Sequence, residues 1–556
     1  MDRKFSFFLA LLCSIVSTGY SQEFLVRRAA DQVSGGSQGF LTYMPGDTIW
    51  LEAGLRSHLL ISDFHGTAGK PVVFANRNGQ VIIDTEYSYG LSIRSCSHFV
   101  VIGLPGEGYD YGIKISRVGH ASGTGISVGN KSTDFTLAGC EVSHTGFAGI
   151  IAKTEPVCGD PGTYRNAFTQ YNTVIRNCYV HDVTGEGMYV GSSFFLGQTL
   201  SPCGNLVLPP TLEGVHIHNN RVERTGLDGL QVSSAVKDCY IHHNILNECS
   251  YLMTESQMSG IIIGGGSLAK CFNNQIFDPY GTGILLFGDG GTEVFNNLIV
   301  RPGRRYLPEN PEKREHGIFI SDKTRVDNTW YGIYQNTIIQ PKSDGIRIDN
   351  TVSFECRIYN NIVIDPGAYD VYENDNTDRI GTDAYIFDVS RGHNFKSESN
   401  YFSRLFTAAG FSNSNADNYR LHPGSPMIDL GKSLYSIGIR SDLDDHDRPA
   451  GMGYDIGAYE YRPGMGAEQL PSGAGSGLES WQILPEDILR LVLKSSEGQK
   501  LRICISDLAG RVVYQDHLAI QAGRSPIIDV PLAAKGLLII TVHGDITRYA
   551  GKIMVY

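Results

Sequence analysis

Between residues 148 and 348 the chain repeatedly places a polar residue, a glycine and an apolar strand in that order. The residues before those glycines are Ala148, Glu186, Asp228, Ser259, Thr282, His316 and Asp344. If the units stack in order, Glu186 and Asp228 become lateral neighbours, and so do His316 and Asp344. Two carboxyl groups about 5 Å apart, one parallel-strand spacing, push each other's pKa apart. That arrangement suits a general acid/base pair, or a pair of calcium ligands. Asp and Ser are also ordinary residues before a turn glycine, so a purely structural reading stays open beside both.

Two neighbouring positions extend the idea. The outward residues two after each glycine include Tyr189, Gln231, Phe319 and Arg347. An aromatic ring there stacks on a flat ligand and an arginine pairs with an anionic group, or the same side chains pack under loops. Lys153, Asp322 and Lys323 follow the strands. The candidate catalytic set is Glu186, Asp228, His316 and Lys323. Tyr189, Gln231, Phe319, Arg347 and Asp344 are the candidate substrate contacts. Long insertions at 153–172, 192–212 and 301–315 are expected to wall a groove around Glu186, Asp228 and His316.

What must position these residues is a repeat. The apolar strands read Gly149-Ile-Ile-Ala, Gly187-Met-Tyr-Val, Gly229-Leu-Gln-Val, Gly260-Ile-Ile-Ile, Gly283-Ile-Leu-Leu, Gly317-Ile-Phe-Ile and Gly345-Ile-Arg-Ile. Each is preceded by a strand opening on Cys140, Cys178, Asn220, Asn244, Asn274, Asn297 or Asn336, and Asn361 opens one more. The closest of these lie 23 to 25 residues apart (Asn274 to Asn297, Asn336 to Asn361). A fixed period of that size with strands this short means stacked units that share one core. The fold class is therefore all-β: a single-stranded right-handed parallel β-helix followed by a small C-terminal β-sandwich. The asparagines fall at one bend, where stacked amides can bond one another, so that column reads as architecture.

The ends and composition set the remaining bounds. Arg3 and Lys4, the apolar run Phe5 to Val16, and small Gly19 and Ser21 read as a signal peptide over residues 1–21. The β-helix is expected over 22–461, a Gly/Pro/Ser-rich linker over 462–480 and the sandwich over 481–556. A formal charge of −12 without basic runs argues against a nucleic-acid partner. No later stretch is apolar enough for a transmembrane segment in the mature chain. Cys158 and Cys203, both in insertions, are the one disulfide candidate; the other cysteines read as buried fillers. His144, His181, His216, His218, His242 and His243 cluster in the first half and read mainly as rung surface, with metal binding as the rival reading. No HExxH, paired CxxC, P-loop or GxSxG pattern occurs.

Three segments carry resemblances. Pro45-Gly-Asp-Thr-Ile-Trp-Leu, Gly69-Lys-Pro-Val-Val-Phe-Ala and Val81-Ile-Ile-Asp resemble the start of exported β-helix polysaccharide lyases that include alginate lyases and chondroitinase B. That resemblance implies opening rungs and an acidic polysaccharide substrate or ligand, acted on by β-elimination or hydrolysis. A non-catalytic surface protein that binds glycan is the rival. The Arg motif of pectate lyases, the Gly-His-Gly and Arg-Ile-Lys pair of polygalacturonases and the Asp-Pro-His-Asp of epimerases are absent. Leu421-His-Pro-Gly-Ser-Pro-Met-Ile-Asp-Leu-Gly, Asp447-Arg-Pro and Asp455-Ile-Gly-Ala-Tyr-Glu-Tyr resemble the choice-of-anchor segment that closes bacterial surface β-helices, here 415–461. Its acidic cluster, Asp442, Asp444, Asp445 and Asp447, reads as a solvated loop or a calcium site. The tail, from Leu501-Arg-Ile-Cys-Ile-Ser-Asp through Gly536-Leu-Leu-Ile-Ile-Thr-Val to Lys552-Ile-Met-Val-Tyr, resembles a type IX secretion sorting domain. That implies export through the type IX machinery, with release or attachment at the outer surface.

Overall fold

The computed structural model describes residues 24–287, 291–305, 314–321, 330–350, 355–367, 385–388 and 395–462, and seven strands between 477 and 555. The signal-peptide segment and Lys323 lie outside the described residues. The chain divides into two units, one ending at Tyr461 and the other starting at Arg462.

The first unit is a right-handed parallel β-helix. Among the described residues its coils pair into two long parallel sheets, of 23 and 12 strands. Each typical coil has a first strand, a bend, a second strand, a turn and a third strand. In one coil these are Thr169–Arg176, Tyr179–Val183 and Met188–Val190. The opening segment joins the stack as expected, with Thr48–Arg56 parallel to Val72–Thr85.

The third strands stack in the register read from their glycines. Ile150 pairs with Met188, Met188 with Leu230, and Leu230 with Ile261. Ile261 continues to Ile284, Ile318 and Ile346. All seven of these inward side chains are fully buried, each contributing about 1.5–3 kcal/mol by leaving water. No coil could bury this face alone, so the stack is the unit of stability.

The bend is built from two adjacent positions. The residue before each stacked asparagine takes a left-handed backbone, as at Asn219, His243, Asn273 and Asn296, with φ between 52° and 57°. The asparagine itself then points inward and bonds the next. Asn220 donates its amide to Asn244 Oδ1 at 3.0 Å, Asn244 to Asn274 at 3.0 Å, and Asn274 to Asn297 at 3.0 Å. Asn297, Asn336 and Asn361 continue this to Asn400, which the sequence reading did not include.

The closing segment folds back on the last coils. Tyr419, Leu421, Met427, Ile456 and Tyr459 pack on Leu298, Val300, Ile339, Ile362 and Ile364. Arg301 ties it down with paired bonds to Asp278 (2.7 and 2.8 Å) and Asp417 (2.6 and 2.9 Å). In the second unit the strands form two antiparallel sheets, of three and four strands.

Candidate functional site

The polar column before the third strands exists as a stack. The Gly187 N–H donates to the Asp228 carbonyl (2.9 Å), Gly229 to Ser259 (3.0 Å), Gly283 to His316 (2.9 Å) and Gly317 to Asp344 (3.0 Å). Each column residue is thus held by a backbone bond from the preceding coil. Its side chain lies beside the outward column: Asp344 contacts Arg347 at 3.2 Å, and the His316 ring lies 5.2 Å from Phe319.

Among the described residues the expected groove is closed over. Glu186, Asp228, Ser259 and Asp344 are 0 % exposed. Tyr189 and Gln231, expected on the surface, are buried as well. The cause is a roof made from the insertions. Cys158 and Cys203 are bonded and tie the first two insertions together. Arg165 donates to the carbonyls of Phe195 and Pro209. Phe195 lies on Gly266 (φ +72°), where a Cβ would come 2.2 Å from the ring. Tyr189 donates to or accepts from Ser193 at 2.5 Å, with the Lys153 ammonium 3.7 Å from its ring centre. A further insertion, 250–258, was missed by sequence reasoning; its signal was the longer step of 30 residues from Asn244 to Asn274. From it, Gln257 Nε2 donates to Glu186 Oε1 at 3.2 Å.

Register divides the predicted catalytic set. Glu186 and Asp228 occupy consecutive coils. His316 stands three coils beyond Asp228, about 14 Å away at 4.8 Å per step. It therefore joins Asp344 and not the carboxyl pair. His316 Nδ1 lies 3.2 Å from the Asp344 N–H and 3.2 Å from its Oδ2. Arg347 bridges Asp344 and Asp349 (2.8 Å) and covers the Phe387 ring at 4.6 Å, so its charge is already matched. Between the two groups Thr282 donates to Glu315 Oε2 at 2.9 Å. Glu315 is buried and was not singled out from sequence, since it precedes the column by one residue.

The carboxyl pair is electrostatically unusual. The Ser259 N–H donates to Asp228 Oδ1 at 2.7 Å, leaving Oδ2 without a partner; Glu186 Oε2, Ser259 Oγ and Asp344 Oδ1 are also unpartnered. Burial, and then the neighbouring Glu186 charge, push the Asp228 carboxyl well above its ordinary range. Burial also raises Glu186, against a smaller opposing pull from Lys153. Calcium takes six to eight oxygens. Two carboxylate oxygens and one hydroxyl fall short of that, and among the described residues no third ionisable ligand closes around the pair. The residues do not fit a calcium ion; they fit a retained proton.

The other metal expectations resolve similarly. Asp442, Asp444 and His446 bring ligand atoms within 4.8 Å of one another. Yet Asp442 Oδ1 accepts the N–H groups of Asp444 (2.9 Å) and His446 (2.8 Å), and Oδ2 that of Glu460 (2.9 Å). Both Asp444 oxygens meet Arg420, at 2.7 and 2.8 Å. Of the clustered histidines, His218 and His242 stack at 4.9 Å, and His243 bonds Asp445 at 2.7 Å. They are surface ladder and clamp. Among the described residues no helix is long and apolar enough to cross a membrane.

A family model agrees with the fold. Residues 212–299 match a family model described as right handed beta helix region. A search of curated proteins gives no match. Among solved structures, pectate lyase Pel9A is similar at 13% identity over 80% of this chain and 98% of its own, with a TM-score of 0.45. XylC in complex with xylose is 9% identical over 79% and 98%, with a TM-score of 0.37. The A-module of Azotobacter vinelandii mannuronan C-5 epimerase AlgE4 is 14% identical over 69% and 87%, with a TM-score of 0.27. At these identities the likeness transfers no residue role. Over residues 212–299 the amino-acid sequence and the coordinates agree that this is a right-handed β-helix.

Proposed function

We propose that the chain is a carbohydrate-active enzyme that cleaves a polysaccharide, with Glu186 and Asp228 as its two catalytic carboxyl groups. One observation carries this: two carboxyl groups on adjacent coils, fully buried, each with one oxygen unpartnered. A raised carboxyl holds the proton a leaving group needs. A spacing of about one coil matches the roughly 5–5.5 Å of retaining glycosidases, where the second carboxylate attacks the sugar. Asp228, the more strongly raised, is the acid; Glu186 is the nucleophile. The Gln257 amide masks Glu186, so substrate entry displaces the 250–258 segment and replaces that bond. Tyr189, beneath the roof, is read as the ring that stacks on a sugar once the roof is displaced. An acidic polysaccharide is the substrate class implied by the resemblance of the opening coils to polysaccharide lyases.

The test is a panel of acidic and neutral polysaccharides, read for new reducing ends and for ultraviolet-absorbing unsaturated product. Glu186→Gln and Asp228→Asn should each lower kcat by at least about a hundredfold, the scale of acid/base assistance. Reducing ends that persist in both variants overturn the site. Unsaturated product replaces hydrolysis by elimination. The closure of the roof favours a second reading, a non-catalytic glycan-binding or adhesion protein; saturable binding without any product would establish it. The chain is further read as exported, with its C-terminal unit as a type IX sorting domain. Mass spectrometry of surface and released protein should find an N-terminus at Gln22 and no peptides from the tail. Retention of an intact tail inside the cell contradicts that reading.

A further inference from the structure

The roof covers only part of the outward column. Tyr189 and Gln231 are buried beneath it. Leu60, Ser127 and Ile151, which precede them in the same register, stay half-buried. The third-strand face is therefore within reach of solvent in the coils that lead to Glu186. This stretch carries an unmatched cation. Arg94 is exposed and donates Nε to Ser92 Oγ at 3.2 Å, and among the described residues it forms no ion pair. Its register neighbour on the next coil is Gly129, which has no side chain to cover it. Lys153, one coil further, is matched by Glu155.

Aromatic rings beside Arg94 supply the independent observation. Its guanidinium lies 5.5 Å from the Tyr89 ring centre. Tyr87 meets Tyr89 edge to face at 5.0 Å, and His58 stacks on Tyr87 at 4.2 Å. Tyr87 is 50% exposed, so this cluster opens to water. An exposed ring beside an unpaired guanidinium offers a flat apolar surface and an anion-pairing fork together. Tyr89 also stands in the polar column itself, which runs Tyr89, Thr124, Ala148, Glu186. Three coils separate its ends, about 14 Å at 4.8 Å per step. In that column only the small side chains of Thr124 and Ala148 intervene. A ligand that touches both Arg94 and Glu186 must span this distance, so it is a chain and not a single unit.

We propose that this strip holds the unreacting length of an acidic polysaccharide, with Arg94 pairing a carboxylate or sulfate group and Tyr87 stacking on a sugar ring. That the polymer is a polysaccharide rests on the cleavage role of Glu186 and Asp228. Calorimetry on the full chain carrying Glu186→Gln would compare oligomers of galacturonate, alginate and chondroitin sulfate with a neutral xylan oligomer and polyglutamate. At least one acidic oligosaccharide should bind, the neutral oligomer and polyglutamate should not, and added salt should weaken binding. Arg94→Gln should weaken it about tenfold or more, the scale of a hydrogen bond to a charged group, and Arg94→Lys should recover part of the loss. Tyr87→Ala should weaken it about threefold or more, the scale of an aromatic contact. Both residues are exposed, so the melting temperature should not move. In the parent chain Arg94→Gln should raise KM and leave kcat within about twofold. Binding untouched by Arg94→Gln and Tyr87→Ala, while Glu186→Gln abolishes cleavage, overturns the strip alone. Binding weakened by Arg94→Gln, while cleavage survives Glu186→Gln, overturns the carboxyl pair and leaves the strip standing. The strip also falls if polyglutamate or the neutral oligomer binds as tightly as the acidic oligosaccharides, or if no probe binds.

Discussion

Two polar columns run through the same helix, both buried, and only one is satisfied. In the asparagine ladder each amide from Asn220 to Asn361 donates to the next coil and to a backbone carbonyl, as Asn244 does to Asn274 and to Ile217. In the column before the third strands, Glu186, Asp228, Ser259 and Asp344 each keep an unpartnered oxygen. The difference is chemical. An amide carries donor and acceptor together, so identical residues chain indefinitely. Ionised carboxylates only accept, so stacking them leaves oxygens that need a proton, a cation or a ligand hydroxyl. The same backbone thus makes a structural spine from one residue type and a reactive strip from another.

Breaking the satisfied column should have the largest effect. Asn274→Ala removes the acceptor of the Asn244 backbone N–H and of one of its two amide hydrogens, both of which use Asn274 Oδ1. A loss of about 3 kcal/mol in denaturant unfolding is expected, from two orphaned groups at roughly 1–3 kcal/mol each. A loss below about 0.5 kcal/mol, the scale of an ordinary surface change, would mean the ladder is decoration.

The unsatisfied column is sharpened by pH. The folded pKa values of Asp228 and Glu186 are raised, so between the ordinary carboxylate range and those raised values the folded state binds more protons than the unfolded one. Stability from these groups is therefore greatest at the acid end of that window and falls as pH rises through it. Asp228→Asn should flatten the fall in a melting-temperature profile and should raise stability at neutral pH. An unchanged profile would show that the pair is ionised or neutralised by something other than protons.

The smallest effect is expected at the roof. Gln257→Ala removes one hydrogen bond to Glu186 and should cost about 1 kcal/mol or less in stability. Because the amide masks the nucleophile, KM should fall while kcat stays within about twofold, the signature of altered ground-state binding. A loss of kcat equal to that of Glu186→Gln would make Gln257 a positioning residue instead of a cover.

The coil period, the third-strand core and the amide spine are legible in the sequence because each repeats at a fixed offset from a glycine or asparagine. The register of Glu186 next to Asp228 follows from the same repeat. The grouping of His316 with that pair does not, because coils add about 4.8 Å per step whatever the residue type. The roof is hidden for another reason. Insertions announce themselves by length, but whether they stand open or lie flat depends on particular contacts, such as Phe195 on Gly266 and Gln257 on Glu186. The contact of Lys432 with Glu398 is similarly invisible, since it needs the closing segment to return to the last coils.

That return has a consequence for how the molecule is made. A ribosome delivers the coils in order, and each new coil can settle on the one before. Leu298, Val300, Ile339, Ile362 and Ile364 must nonetheless wait for Met427, Ile456 and Tyr459 to be translated before their outer side is covered. During that interval the nascent solenoid shows a bare apolar stripe, so a truncation before residue 410 should emerge sticky and dependent on chaperones.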